Sequence, residues 1–410
     1  MAAKITRQPN KIALLGAPTS AASLSAGHEH APAKLREAGL VDRLRAVGYD
    51  VTDMGDDHPQ LYQSDEESPR SRNLPRVLKA LEALKPRVEQ AVKSGALPLV
   101  LGGDCTIALA TIAALRRYFR SVSAVYMDRD ADLNTPATTP SGLLDGMVVA
   151  HLTGRGAAEL VRFWGEPPLV REPDVALFGV VRLDHPEEDL LLRSPIQRYL
   201  ADNVQRLGPA AAAQMAIERI HAAGNEFLLH FDVDVIADFR ATNFPGSGGL
   251  TLDEVRQALE VFAQQKHMAA FEVTAYNPER DPDGSAAKTV VDIVVSALAT
   301  RLERLAAAAG APASAQAPPP VEPVLGQATL PAGSETGPAP ASVETSAGQA
   351  GLADMAAVPV AREEPEAMPS PPQPPAEPGP DDAAKASVAP AAEPMPAPPE
   401  GPESNGADGN

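Results

Sequence analysis

The chain has 410 residues, a formal net charge of −19 and one cysteine. The acidic balance argues against nucleic-acid binding. No run of about 18 apolar residues offers a membrane span, the start Met1–Asn10 is polar and lacks a signal core, and a lone cysteine fits a reducing cytosol.

The predicted elements begin with a short strand at Ile12–Leu15 and a helical spacing of apolar residues over Ala33–Val47. Asp50–Met54 reads as a second strand. Leu74–Ser94 reads as a helix with Val77, Leu81, Leu84 and Val88 on one side, Pro75 in its first turn and Pro86 expected to kink it. Leu97–Leu101 is the next strand and about Thr106–Arg120 the next helix. Val122–Met127, Val175–Val180 and Phe227–Asp232 are further strands. Helices Leu252–Gln265 and Ala286–Ala308 flank a last strand at about Ala269–Ala275. This alternation predicts a three-layer α/β/α fold with a mostly parallel central sheet.

Composition changes near Ala309. From there to Asn410 the chain holds 23 of its 42 prolines and no Phe, Tyr, Trp, His or Cys. Fourteen acidic residues against Arg362 and Lys385 give this part −12 of the net −19. It cannot bury enough apolar surface to offset its ordering entropy. The expected organisation is one domain over 1–308 and a disordered acidic tail over 309–410, with local polyproline II.

Three aspartate-bearing stretches follow apolar strands: Gly102-Gly103-Asp104-Cys105, Asp128 to Asp132, and Asp232-Val233-Asp234. Carboxylates at the ends of parallel strands converge on the crevice where α/β proteins bind ligands. Crowded carboxylates repel unless cations neutralise them. The pattern points to a metal site, probed by three alternating aspartates (Asp128, Asp130, Asp132) and a cysteine at a helix start, where a thiolate is favoured. For each piece alone there is a plainer reading: Asp104 as a helix cap, Asp128 to Asp132 as a solvated loop, Cys105 as a buried core residue.

The chain resembles the arginase/agmatinase/formiminoglutamase (ureohydrolase) family. The resemblance rests on Gly16-Ala17-Pro18, Ala31-Pro32, Leu35 to Leu40, Gly102-Gly103-Asp104, Asp128 to Pro136, Ser141-Gly142, Phe231 to Asp234, Gly248-Gly249-Leu250 and Asn277-Pro278. It implies two manganese ions at the strand ends and a metal-bound hydroxide that cleaves a C–N bond of a guanidino compound. It also implies a homo-oligomer, trimer or hexamer. Of six ligand positions, four family aspartates correspond to Asp128, Asp132, Asp232 and Asp234. The two family histidines are replaced by Cys105 and Asp130. Five aspartates and a thiolate sum to −6 where the family set sums to −4, so a nearby cation, a retained proton or a single ion is expected. The cysteine admits zinc or another transition metal beside manganese.

Other departures concern catalysis. Asp145 stands where many members carry a proton-shuttling histidine, and together with Asp130 it is the candidate catalytic group. Ala275 stands where many carry a glutamate that anchors the guanidinium, while Glu272 should point the other way. Asn134, Ser141, Asp184 and Glu187 match substrate-binding positions. His28 and His30 lie in a loop near the mouth of the family's site. His151, His230 and His267 read as core or surface residues. Two functions follow: a metal-dependent cytoplasmic hydrolase of altered specificity for a small amidine or guanidino substrate, or a non-catalytic binding subunit whose tail tethers a partner protein.

Overall fold

The computed structural model describes residues 5–221, 225–308 and 310. The expected disordered tail therefore lies outside the described residues apart from Gly310. Eight strands form one sheet: β1 Lys11–Ala17, β2 Asp50–Asp56, β3 Leu97–Gly102, β4 Val122–Met127, β5 Val175–Val180, β6 Gln197–Leu200, β7 Glu226–Asp232 and β8 Met268–Thr274. Their order is β2-β1-β3-β8-β7-β4-β5-β6, and every neighbouring pair is parallel. β3, β4 and β5 are fully buried, as their unbroken apolar runs require of strands covered on both faces.

Helix Leu74–Lys93 packs on Ile107–Arg116. Helices Leu40–Ala46, Ser285–Ala308, Leu252–Ala263 and Pro209–His221 form a second continuous row, each packed on the next. The three-layer α/β/α expectation holds. Two differences have local causes. The helix expected over Ala33–Val47 is two, Ala31–Glu37 and Leu40–Ala46, because Gly39 adopts a left-handed conformation at φ 90°. β6 was not predicted, since Gln-Arg-Tyr-Leu is short, only partly buried and on the sheet edge.

The helix with Pro86 runs as one element from Leu74 to Lys93. The last strand ends at Thr274 rather than Ala275, whose φ of 63° turns the chain out of the sheet. Among the described residues no helix is long and apolar enough to cross a membrane.

Candidate metal centre

The centre grows from three adjacent strands, β8, β7 and β4. The register pairs Glu272 with His230 and His230 with Tyr126, so these side chains lie in one row across the sheet. Two residues further, on the same face, come Thr274, Asp232 and, just past β4, Asp128. β3 joins from the far side of β8 and delivers Gly103, Asp104 and Cys105. A Cβ on Gly103 would lie 2.0 Å from the Thr19 carbonyl oxygen, so only glycine lets this turn pass so close. Asp104 is fully buried and accepts from Thr19, Ala22 and Thr106. It anchors the turn and does not line the cavity.

A cavity of about 300 Å³ opens at these strand ends. It is lined by Cys105, Asp128, Asp130, Asp132, Asp232, Asp234, Asp145, Asn134, Ser141, Asp184 and Glu187. Every site residue named from the sequence thus reaches one cavity. One oxygen from each of Asp128, Asp232 and Asp234 lies within 4.8 Å of the others. Cys105 Sγ, an oxygen of Asp128 and a ring nitrogen of His230 form a second such group. Asp130 and Asp132 are held differently. Asp130 forms a 2.6 Å ion pair with Arg182. Asp132, at φ 51°, accepts a 2.5 Å hydrogen bond from the Tyr126 hydroxyl.

The remaining residues are also engaged. Asp145 accepts the Cys105 backbone N–H at 2.7 Å, fixing the start of the helix that follows. Cys105 Sγ lies 2.9 Å from Asp232 Oδ2 and 3.3 Å from Thr274 Oγ1. Asn134 Nδ2 donates to Asp184 at 2.8 Å. Glu187 accepts the backbone N–H groups of Leu133 and Asp184, the latter as part of the capping box of helix His185–Arg193. Ser141 lies at the rim beside Thr139.

Burial is the main cause that pushes Asp128, Asp132, Asp145 and Asp232 well above the usual carboxylate range, with neighbouring carboxylates adding to it. Asp234 is pushed up to about 7, by burial first and then by Asp130. Asp130 is raised by burial, against which Arg182 and Arg129 act. The Cys105 thiol is pushed up by burial and by four surrounding aspartates. Asp234 Oδ1 is buried and has no hydrogen-bond partner. A buried, unpartnered carboxylate oxygen beside two others fits a cation, which would stabilise the charged form of all three.

The Arg129 guanidinium lies outside the cavity lining, against the Phe244 carbonyl, yet its charge still acts on Asp130 and Asp234. Glu272 does not line the cavity: it lies one row below it, on the face it shares with Thr274, and meets His230. Ala275 is buried and lies outside the cavity lining. His28 is fully buried, with its pKa lowered to about 3 by desolvation and by Arg280. Neither His28 nor His30 lines the cavity.

Two residues were missed in the sequence. Arg182 has no motif to mark it, and only the fold brings it to Asp130. His230 was read as core or surface, although its spacing of two from Asp232 already put both on one face.

A parallel sheet with acidic groups gathered at the ends of its central strands defines the class, and the chain belongs to the arginase family, whose model matches residues 10–300. The arginase of Bacillus caldovelox is 30% identical over 297 residues, covering 71% of this chain and 99% of that protein. Its solved structure superposes with a TM-score of 0.65 at 30% identity, over 70% of this chain and 98% of the other. The arginase of Entamoeba histolytica, solved in complex with L-ornithine, shares the fold at a TM-score of 0.66 and 23% identity, over 70% and 98%.

Proposed function

We propose that this protein is a metal-dependent hydrolase that cleaves a C–N bond of a small linear amidine or guanidino compound other than arginine. The carrying observation is the convergence of Asp128, Asp232 and Asp234 oxygens in a cavity at the strand ends. A divalent cation held by these residues would neutralise their charge and would lower the pKa of a bound water. The chain's own residues do the rest. Asp145 lines the cavity, and burial followed by neighbouring carboxylates raises its carboxyl well above the usual carboxylate range, which supports its role as general acid.

Asn134, Ser141, Asp184 and Glu187 all line the cavity and form the substrate-binding wall in this reading. Both oxygens of Glu187 already accept backbone N–H groups, so Glu187 acts through its charge and its hold on the loop. Ala275 offers no guanidinium anchor, which supports a substrate different from arginine. Similarity to arginases supports a cytoplasmic homo-oligomer with manganese, or zinc in view of Cys105.

One observation favours the non-catalytic alternative. One oxygen of Asp130 is paired with Arg182 and Cys105 is paired with Asp232, so two ligand positions find partners within the protein. The discriminating experiment is metal content by elemental mass spectrometry after incubation with manganese or zinc, followed by a screen of guanidino and amidine compounds for released urea or ammonia. Metal binding with turnover of any such compound sustains the hydrolase. A chain that binds no metal and turns over none is a binding module.

A further inference from the structure

The row beneath the cavity contains a device that the family's ligand positions do not include. His230 is fully buried on β7. Its Nδ1 lies 3.0 Å from Glu272 Oε2, and Glu272 is itself fully buried. Its ring stacks on Tyr126 at 4.1 Å with 3° between the planes. Its Nε2 lies 3.3 Å from Thr274 Oγ1, which in turn is 3.3 Å from Cys105 Sγ. An imidazole whose one nitrogen is held by a carboxylate and whose ring is clamped by stacking presents its other nitrogen in a fixed direction. This is how proteins prepare histidine ligands, the carboxylate setting the tautomer and raising the basicity of the ligating nitrogen.

We propose that His230 supplies the histidine donor that position 105 has lost, so that a zinc-class divalent cation is held by Cys105 Sγ, His230 Nε2 and an Asp128 oxygen. Cys105 Sγ, an Asp128 oxygen and a ring nitrogen of His230 lie within 4.8 Å of one another, and the contact of Nδ1 with Glu272 leaves Nε2 as the donor. Four-coordinate zinc, with bonds of about 2.0–2.3 Å, needs donors about 3.3–3.8 Å apart, so a small inward movement closes the site. Sulfur and imidazole together favour zinc over manganese, for which oxygen donors suit better. Asp128 belongs to both donor groups and joins this position to the Asp232–Asp234 side. Coordination displaces the thiol proton to solvent. The Thr274 hydroxyl then gives up Nε2 and keeps the Phe231 carbonyl, which is 3.4 Å away. Glu272 is a positioning residue that acts through His230.

The inference concerns the same cavity as the hydrolase reading, and the test separates the two. X-ray absorption at the zinc edge on the full, zinc-loaded chain should show one sulfur near about 2.3 Å and imidazole scattering near about 2.0 Å. Cobalt(II) in place of zinc should give a thiolate charge-transfer band, abolished in Cys105→Ser. Glu272→Gln, which keeps the shape of the row, should weaken zinc about 10- to 100-fold. His230→Gln should remove the imidazole signal, and the wild-type spectrum decides the matter if that variant fails to fold. An oxygen-only zinc shell, sulfur without imidazole, or no zinc binding overturns the proposal. An imidazole–sulfur shell in a chain that hydrolyses nothing leaves the site standing and removes the hydrolase reading. Turnover with an oxygen-only shell does the reverse.

Discussion

The Arg182 guanidinium lies 2.6 Å from the Asp130 carboxylate, and the two residues also face each other in an isolated parallel bridge. Asp130 is thus matched with a fixed positive charge. The surplus acidity counted in the sequence is thereby reduced at this position without a second metal ion. The Asp128, Asp232 and Asp234 oxygens converge without Asp130, whose charge nevertheless reaches Asp234.

Removing that guanidinium should favour a cation in the cavity. Arg182 is more than half exposed, so solvent screens its effect to about 1 kcal/mol. Arg182→Gln should bind manganese or zinc about fivefold more tightly by calorimetric titration. Weaker or unaltered binding would show that the pair orders the rim and leaves the cation site unaffected.

The buried carboxylates make the metal-free protein unusual in its pH dependence. Asp234 is pushed up to about 7, against about 3.9 in an unfolded chain. Between those values the native state keeps a proton that the unfolded state has lost. Stability is therefore greatest below about pH 4 for this group and falls as pH rises towards about 7. Chelator-treated protein should melt at a lower temperature at neutral pH than at mildly acidic pH, and added divalent metal should flatten or reverse that trend. A melting temperature that climbs with pH after chelation would contradict this account.

Neutralising one carboxylate should separate the structural from the metal-binding contribution. Asp234 Oδ1 is buried without a partner, so Asp234→Asn relieves repulsion and keeps the side chain's size. The metal-free variant should melt at the wild-type temperature or above it, and lose the stabilisation that manganese or zinc gives the wild type. Thermal unfolding with and without metal checks both halves.

Asp145 allows a direct test of proton transfer. Asn at this position still accepts the Cys105 N–H, so the helix start is preserved. If a substrate is found, Asp145→Asn should lower kcat about 100- to 10,000-fold with little change in KM, and remove a limb of the pH profile. A change confined to KM would assign Asp145 to substrate binding.

Much of this architecture was legible in the chain itself. Unbroken apolar runs such as Val122–Met127 mark strands covered on both faces, and the acidic residues directly after them mark the crevice. The break at Gly39 and the edge strand Gln197–Leu200 were not legible, because a left-handed glycine and a short half-polar strand leave no periodic signal.

Sequence determined which donors exist: spacing, alternation and motif order brought Cys105 and the five aspartates to one set of strand ends. Tertiary structure alone decided how those donors are shared. Arg182 meets Asp130 across 52 positions, Cys105 meets Asp232 across 127, and Glu272 meets His230 across 42. Such pairings depend on strand order and register, β8 beside β7 beside β4, and neither is written in any local stretch of residues. Ion pairs and hydrogen bonds act over a few ångströms, so a carboxylate's role is set by whichever side chain the fold places within that reach.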